Sequence, residues 1–242
     1  MIIFLIVLFT LLTYIGLVVL KSLLLRILIG GTSILMLVLS VGLLTLHLDK
    51  NWGTKIVTSR QRSTDIYTAG DLSSPFGMII KAEIGQNTGN YVFIYRTSKT
   101  EKKASPQFKP ATDSISQIVT AIKKKATYQV VDLESPEVET ITKRREFTDK
   151  WSKLLFGIGG EEGQLVQEIS TIKIPEKTWL LLTEAQADKL VKSQADLMKQ
   201  QAAELKADPE KALALEKLKK SNPKAYSELM VSQLKTFLGI KN

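Results

Sequence analysis

The chain of 242 residues contains no cysteine and a single histidine, His47. The lack of cysteine excludes disulfides, thiolate zinc sites, cysteine nucleophiles and a lipid anchor on a processed cysteine. With one histidine, a serine–histidine–aspartate triad has no base unless His47 itself reaches it, and only carboxylates remain for a metal. The composition therefore predicts a non-enzymatic protein without a catalytic, cofactor or metal site. An enzyme that uses carboxylates, or serine with lysine, remains an alternative.

Charge is absent from two long stretches, Met1–Leu20 and Ile27–Leu46. About 20 residues at ~1.5 Å each cover the ~30 Å hydrocarbon core of a bilayer. The chain start lacks the basic residues and the small-residue cleavage site of a signal peptide, which favours an uncleaved first helix. We therefore predict a transmembrane helical hairpin over residues 1–48. The residues predicted to lie at the membrane interface are Lys21, Arg26 and Trp52.

The charges near the hairpin give opposing indications of its orientation. Lys21 and Arg26 favour a cytoplasmic loop, which would place the rest of the chain outside the cell membrane. Basic residues that follow the second helix favour the reverse: Lys50, Lys55, Arg60 and Arg62. Large domains translocate largely regardless of charge, so the loop carries more weight and predicts an extracytoplasmic domain. His47 is expected at the level of the lipid head groups, because no second ionisable group lies within the span.

Residues 49–183 are rich in Val, Ile, Tyr and Thr between turn signals, which predicts a β-rich domain shaped as a sandwich or an open barrel. The predicted strands are 54–58, 64–68, 77–84, 91–97, 128–133, 138–142, 165–174 and 178–183. Residues 97–112 are predicted to form a mobile surface loop. Residues 114–125 are predicted to form a helix whose apolar face packs on the sheet. The fold class is thus a membrane-anchored α+β protein.

Residues 184–242 are rich in Ala, Leu, Lys, Glu and Gln, and predict an α-helical tail. Thr183 and Gln186 form a capping-box pattern, and Asp208 and Asn222 each precede a proline. The expected helices are 184–206, 209–220 and 223–238. Their apolar stripes favour either a hairpin that closes on itself or on the β-domain, or a tail that binds a protein partner.

The formal net charge of +9 suits anionic partners, although interspersed acidic residues also fit an ordinary solvated surface. Two compact basic clusters are possible contacts for an anionic polymer or for lipid head groups. These are Lys123, Lys124 and Lys125, and Lys143, Arg144 and Arg145. Nucleic acid is disfavoured, because no aromatic RNA motif or recognition helix accompanies the charges.

Two further segments have competing interpretations. Phe156–Gly163 resembles a glycine-rich phosphate loop, but it lacks the strand–turn–helix context, and Glu161 and Glu162 would repel a pyrophosphate, so a flexible hairpin loop is expected. Phe147, Trp151, Leu154 and Leu155 share the face of a short helix. Packing on the β-core is favoured over a position on a membrane surface, because such stripes are usually core.

Two opening apolar helices are followed by Asn51-Trp52-Gly53-Thr54-Lys55 and then by Tyr91-Val92-Phe93-Ile94-Tyr95. This order, over roughly residues 1–183, resembles an uncharacterised membrane-protein family of lactic-acid bacteria, a domain of unknown function. The resemblance implies a bacterial cell membrane and no known activity. The sequence as a whole favours a membrane-tethered binding or scaffold module of the cell envelope. The alternative is an accessory subunit of a membrane transport or sensing complex.

Overall fold

The computed structural model describes residues 1–240, with Gln201 described by its backbone alone. The chain divides into two compact units. Unit 1 comprises Met1–Ser59 and Thr142–Gln167, and unit 2 comprises Arg60–Ile141 and the chain from Glu168 onward. The domain boundaries predicted after residues 48 and 183 remain predictions.

Two apolar helices open unit 1. Helix α1 (Ile2–Tyr14) continues as a π-helical turn to Val19, and α2 (Leu23–Leu25) continues through a π-helical turn into α3 (Thr32–Lys50). The resulting helices, Ile2–Val19 and Leu23–Lys50, are long and apolar enough to cross a membrane. Residues 21–26, which separate the two uncharged stretches, do not all form the turn, because Arg26 already lies within the second helix. Its Nε donates to the Leu20 carbonyl at 2.6 Å across the tight turn.

The two apolar helices meet most closely at Gly16 and Gly30. A Cβ on Gly16 would lie 2.6 Å from the Gly30 nitrogen, so a side chain there would enter the opposing backbone. A Cβ on Gly30 would lie 2.8 Å from a methyl carbon of Leu17. Small residues permit this kind of approach between helices. By contrast, a Cβ on Gly31 or on Gly42 would meet only open space. These two glycines therefore do not mediate the close approach of the helices.

Eight strands among the described residues form two mixed sheets of four strands each, and neither closes into a barrel. The strands are β1 (Thr54–Ser63), β2 (Gly77–Glu83), β3 (Tyr91–Tyr95), β4 (Ser105–Gln107), β5 (Lys124–Val131), β6 (Glu137–Phe147), β7 (Gln164–Pro175) and β8 (Trp179–Thr183). One sheet has the order β1-β6-β7-β5, with β5 parallel to β7. The other has the order β4-β3-β2-β8, with β2 parallel to β8 and antiparallel to β3.

Two predictions about the strands are wrong. Residues 64–68 form no strand, because β1 extends to Ser63 and only an isolated bridge joins Tyr67 to Arg96. The segment 97–112, predicted to be a loop throughout, contains β4, which pairs antiparallel with β3. Arg96 explains part of this ordering. Its guanidinium donates to the carbonyls of Thr68, Gly70 and Glu101, which ties the flanking loops together.

The core of unit 2 lies between its two sheets. Ile79 and Phe93 come from β2 and β3, and they pack in one buried cluster with Ala126, Ile172 and Ile174 of the other sheet. Four of these five side chains are at most 1 % exposed. Alternation along each strand sends every second side chain to this face, which explains why strands with mixed polarity still build a continuous core.

The tail folds as predicted into helices α6 (Glu184–Ala207), α7 (Pro209–Ser221) and α8 (Pro223–Leu238). Both partners of the Thr183–Gln186 capping box are in place. Val231 and Leu238 of α8 pack in a buried cluster with Leu180 and Leu182 of β8. The apolar stripe of α8 is therefore used against the β-sheet, which is one of the two arrangements expected.

Helix α4 (Ile115–Ile122) is shorter than predicted, because β5 begins at Lys124. Its apolar face is exposed, with Ile115 and Ile122 82 % and 79 % accessible. The prediction that this face packs on the sheet is therefore wrong. The polar side of α4, which is also exposed, lines a cavity instead.

Candidate functional site

His47 is the centre of a buried cluster in unit 1. It lies in the last turn of α3, and its side chain is 3 % exposed. The ring stacks on Phe156 of helix α5 (Lys150–Phe156), with centroids 4.0 Å apart and an interplanar angle of 11°. Nδ1 lies 2.7 Å from the carbonyl oxygen of Trp52. The ring is therefore enclosed by protein rather than open to head groups.

The second nitrogen of His47 meets an acidic partner. Nε2 lies 3.2 Å from Oε2 of Glu161, which follows the short 3₁₀ turn Gly157–Gly159. A carbonyl can only accept, so Nδ1 carries the hydrogen in its contact with Trp52. Oε2 of Glu161 is buried and makes no hydrogen bond, so its contact with Nε2 is a close approach of an acidic and a basic group between α3 and the glycine-rich loop. Sequence reasoning missed this pairing, because the two residues are far apart in the chain.

The glycine-rich segment Phe156–Gly163 is structured at both ends. Gly160 and Gly163 have φ values of +68° and +75°, which only glycine adopts readily. The Gly163 nitrogen donates to the Arg145 carbonyl at 2.8 Å. Within unit 1 this segment acts as a connection that presents Glu161 to His47.

Helix α5 displays two different faces. At its start, the Asp149 carboxylate accepts from the backbone nitrogen of Ser152 at 2.8 Å, and this hydrogen bond lowers the pKa of Asp149. Phe156 is buried on one side. Trp151 is 74 % exposed and Leu154 is 49 % exposed. The predicted packing of this aromatic stripe on the β-core is therefore wrong: Phe147 is buried, but in a cluster with Ile2 and Phe156, and Trp151 is exposed.

The first basic cluster lies beside a cavity of about 290 Å³ in unit 2. Lys124 and Lys125 of β5 line this cavity together with polar groups of α4, and Lys123 forms the end of that helix. The lining polar residues of α4 are Ser116, Gln117 and Thr120. The Lys124 ammonium lies 3.0 Å from the Glu168 carboxylate, and the Lys125 ammonium donates to the Thr88 carbonyl at 3.1 Å.

Chemically, this lysine-lined cavity offers the ammonium groups of Lys109, Lys124 and Lys125, hydroxyls and an amide to a polar occupant. Phe108 and Ala126 complete an apolar part of its wall. Asn90 is already engaged, since its side-chain oxygen accepts from the Ala126 nitrogen at 2.8 Å. The cavity therefore fits an anionic or strongly polar group of small size, with Glu168 as the acidic group that such an anion would displace from Lys124.

The second basic cluster lies on β6 in unit 1. The Arg144 guanidinium donates to the Gly163 carbonyl at 2.9 Å, and the Nε of Arg145 is buried without a hydrogen-bond partner. Lys143 is half-buried. Arg144 thus helps to hold the glycine-rich loop. The two basic clusters belong to different units of the chain.

The three residues predicted at the membrane interface have distinct surroundings. Lys21 is exposed in the turn between the two apolar helices, and Arg26 is exposed one helical turn further on. Trp52 is 48 % exposed, while its ring edge contacts Phe156 at a centroid distance of 6.1 Å. Trp52 therefore has both an outward surface and a packing role in unit 1.

Two acidic residues of β6, Glu137 and Glu139, are paired with cations. Glu139 lies 3.1 Å from Arg62 and 3.5 Å from both Arg60 and Lys173, and the Arg62 hydrogen bond lowers the pKa of Glu139. The hydrogen bond to Glu137 at 2.8 Å likewise raises the pKa of Lys173. These carboxylates form an ion-pair network. Within the described chain, no three acidic or histidine side chains gather as a metal site.

Together these features define an α+β protein with two N-terminal apolar helices and two mixed sheets. Residues 22–190 match the family described as Domain of unknown function (DUF4811). The chain therefore belongs to this family, which confirms the resemblance to an uncharacterised domain. No curated protein matches the chain, and no solved structure matches it. An origin in lactic-acid bacteria and a family-wide pair of membrane helices remain predictions.

Proposed function

We propose that this protein is a membrane-tethered, non-enzymatic binding module of the bacterial cell envelope. The supporting observation is the apolar surface of the two helices. Large side chains such as Phe4, Val18 and Val38 are more than 60 % exposed along them. Contact of apolar surface with water costs roughly 25 cal/mol per Å². A bilayer removes that cost, since a span of this length matches its hydrocarbon core.

Extraction and labelling together test the tether and its orientation. Resistance of the full chain to alkaline carbonate is expected, and complete release would contradict the tether. Because the chain has no cysteine, Lys103→Cys in an exposed segment provides a unique thiol. We expect a membrane-impermeant maleimide to label it in intact cells, as an extracytoplasmic domain requires. Labelling only after lysis would place it in the cytoplasm. Ser33→Cys, buried between the apolar helices, is the unlabelled control.

We further propose that the lysine-lined cavity binds a phosphate-bearing anionic polymer, with lipid head groups as the other source of the same chemistry. The three lysines that line it and the polar side of α4 support this. Lys123, Lys124 and Lys125 replaced together by Gln should weaken binding of polyphosphate at low salt by at least tenfold. Anionic vesicles serve as the second probe and separate the two sources.

A matched control removes the same charge elsewhere in unit 2. Lys217, Lys219 and Lys220 lie on α7 and are exposed or partly exposed. Their joint replacement by Gln should leave most of the binding intact. An equal loss in both variants would indicate unspecific attraction to the net positive charge, and no loss in the cavity variant would refute the site. Thermal unfolding of both variants checks that their folds are comparable.

The exposed apolar face of α4 favours a second candidate function, an accessory subunit of a membrane complex. Ile115, Ile118, Val119 and Ile122 give this short helix an exposed apolar face. Val191 and Met198 of α6 add exposed apolar surface on the helical tail, where a protein partner was predicted. Mild detergent extraction and native electrophoresis separate the two candidates. A discrete larger complex that is lost in Ile115→Asp supports the subunit function, and a monomer contradicts it.

A further inference from the structure

We propose that α5 and the turn after it form a third membrane contact, which rests on the surface of the bilayer beside the two spans. This α5 face consists of Trp151, Leu154 and Ile158, which are 74 %, 49 % and 62 % exposed. The inference builds on the proposed membrane tether. It assigns the α5 face a lipid surface as its partner.

Helix α5 is fixed to the open end of the hairpin within unit 1. Phe156 stacks on His47 near the end of α3. Phe156 and Phe147 also belong to one buried cluster with Ile2, at the start of α1. The backbone nitrogen of Met1 donates to the Leu155 carbonyl at 3.0 Å. The helix therefore holds both spans at the same end and cannot move independently of them.

The position of Ile2 sets the depth of α5 relative to the hydrocarbon core of the bilayer. The helix Ile2–Val19 has 18 residues, so it spans about 27 Å, close to the ~30 Å thickness of the hydrocarbon core. If the helix crosses the core, Ile2 lies at the edge of the hydrocarbon. Helices in contact have axes about 8–10 Å apart, so a helix packed against Ile2 lies within that distance of the edge. Amphipathic surface helices occupy this boundary layer.

The two faces of α5 differ in their chemistry. Successive residues on a helix are rotated by about 100°, which places Trp151 and Leu154 nearly opposite Ser152 and Phe156. The inward pair is buried and the outward pair is exposed. Tryptophan prefers the layer between head groups and acyl chains, because its ring is apolar and its indole N–H can donate.

The lysines beside the α5 face favour a bilayer over a protein partner. Lys150 is exposed beside the α5 face, and Lys153 is exposed while it pairs with Glu162 at 2.7 Å. Lysines that flank apolar side chains suit anionic head groups. Within the same unit, Met1, Ile3 and Phe4 at the start of α1 are exposed as well. A bilayer that surrounds the spans would cover this neighbouring surface without any further chain.

Tryptophan quenching in the full-length protein tests the inference. A variant with Trp151 as its single tryptophan carries Trp52→Phe and Trp179→Phe. It is reconstituted into phosphatidylcholine–phosphatidylglycerol vesicles that contain lipids brominated at shallow or deep acyl positions. We expect strong quenching by shallow bromine, weaker quenching by deep bromine, and little quenching by aqueous acrylamide. The control retains only Trp179, which is partly buried against the core of unit 2 and should not respond to brominated lipid.

The possible results separate this inference from the tether on which it rests. If the protein fails to float with the vesicles, the tether itself is wrong. If it floats and acrylamide quenches Trp151 while bromine does not, the spans insert and the α5 face remains in water, which overturns the inference. Protection of Trp151 from both quenchers also overturns it, because protein rather than lipid then covers this face. Trp151→Glu should still float, since the two spans remain.

Discussion

Substitution of Gly77 by alanine should destabilise unit 2 through one steric conflict. Gly77 on β2 is paired with Trp179 on the parallel strand β8. A Cβ at Gly77 would lie 2.1, 2.2 and 2.4 Å from three carbons of the indole ring. Favourable carbon–carbon contacts begin near ~3.5 Å, so the ring or the strand must move by more than about 1 Å. The fully buried Leu180 next to Trp179 restricts such a movement of β8.

The magnitude follows from two opposing effects. Overpacking of a close-packed core costs roughly 1–3 kcal/mol. Because the φ angle of Gly77 is not in the left-handed region, alanine also reduces the entropy of the unfolded chain, which stabilises by about 0.4–1 kcal/mol. We expect a net loss of about 1.3 kcal/mol in the free energy of unfolding. This corresponds to a roughly tenfold larger unfolding constant.

Urea unfolding of the full chain in mild detergent, followed by far-ultraviolet circular dichroism, measures this loss. A double-mutant cycle isolates its cause. In a Trp179→Ala background the conflict is absent, so Gly77→Ala should then cost almost nothing. An unchanged unfolding midpoint for Gly77→Ala, or the same loss in both backgrounds, would refute the steric explanation.

Three further predictions address other parts of the chain. Gly16→Val should separate the apolar helices and lower the thermal stability of the detergent-solubilised protein, whereas Gly42→Val, which faces open space, should not. Burial raises the pKa of Tyr95 to about 12, so stability present below the ordinary tyrosine pKa should fall as the pH rises from ~10 towards 12. Tyr95→Phe should therefore move alkaline unfolding to higher pH. An unchanged transition would contradict this cause. The lowered pKa of Asp149 means that its stabilisation of α5 is present above the unfolded-state pKa and lost as the pH falls through the folded-state pKa. Amide hydrogen exchange should show that α5 loses protection at low pH in the wild type. The loss should be weaker in Asp149→Asn, because asparagine also caps helices but does not titrate. Equal acid sensitivity in both proteins would exclude the carboxylate as the cause.

Local sequence signals predicted the elements that depend on neighbouring residues. The helices of the tail begin at Thr183, Asp208 and Asn222 as their capping patterns indicate, because a cap and its acceptor are only three residues apart. The two apolar helices were likewise predicted from uninterrupted hydrophobicity. The first helix ends at Val19 and the second runs from Leu23 to Lys50, so their bounds differ from those of the uncharged stretches by a few residues.

The apolar spacing of a helix was a less reliable predictor of burial. Such spacing shows that the helix has an apolar face, but not what that face packs against. Ile115 and Ile122 of α4 have the spacing of a core face and yet are exposed. Phe147 and Trp151 belong to one predicted stripe, of which the first is buried and the second is exposed. Exposure depends on what the rest of the chain brings to each face, and no local spacing contains that information.

The sequence by itself determined the two apolar helices, the β-rich composition of the middle segment, the caps of the tail and the absence of cysteine chemistry. Only the tertiary structure decided that Lys124 and Lys125 line a cavity, that His47 meets Glu161, and that Trp151 faces outward. The physical reason is the range of the interactions. Hydrophobic length and capping act over a few residues, whereas the cavity and the buried pair form between segments that become neighbours only when the chain folds.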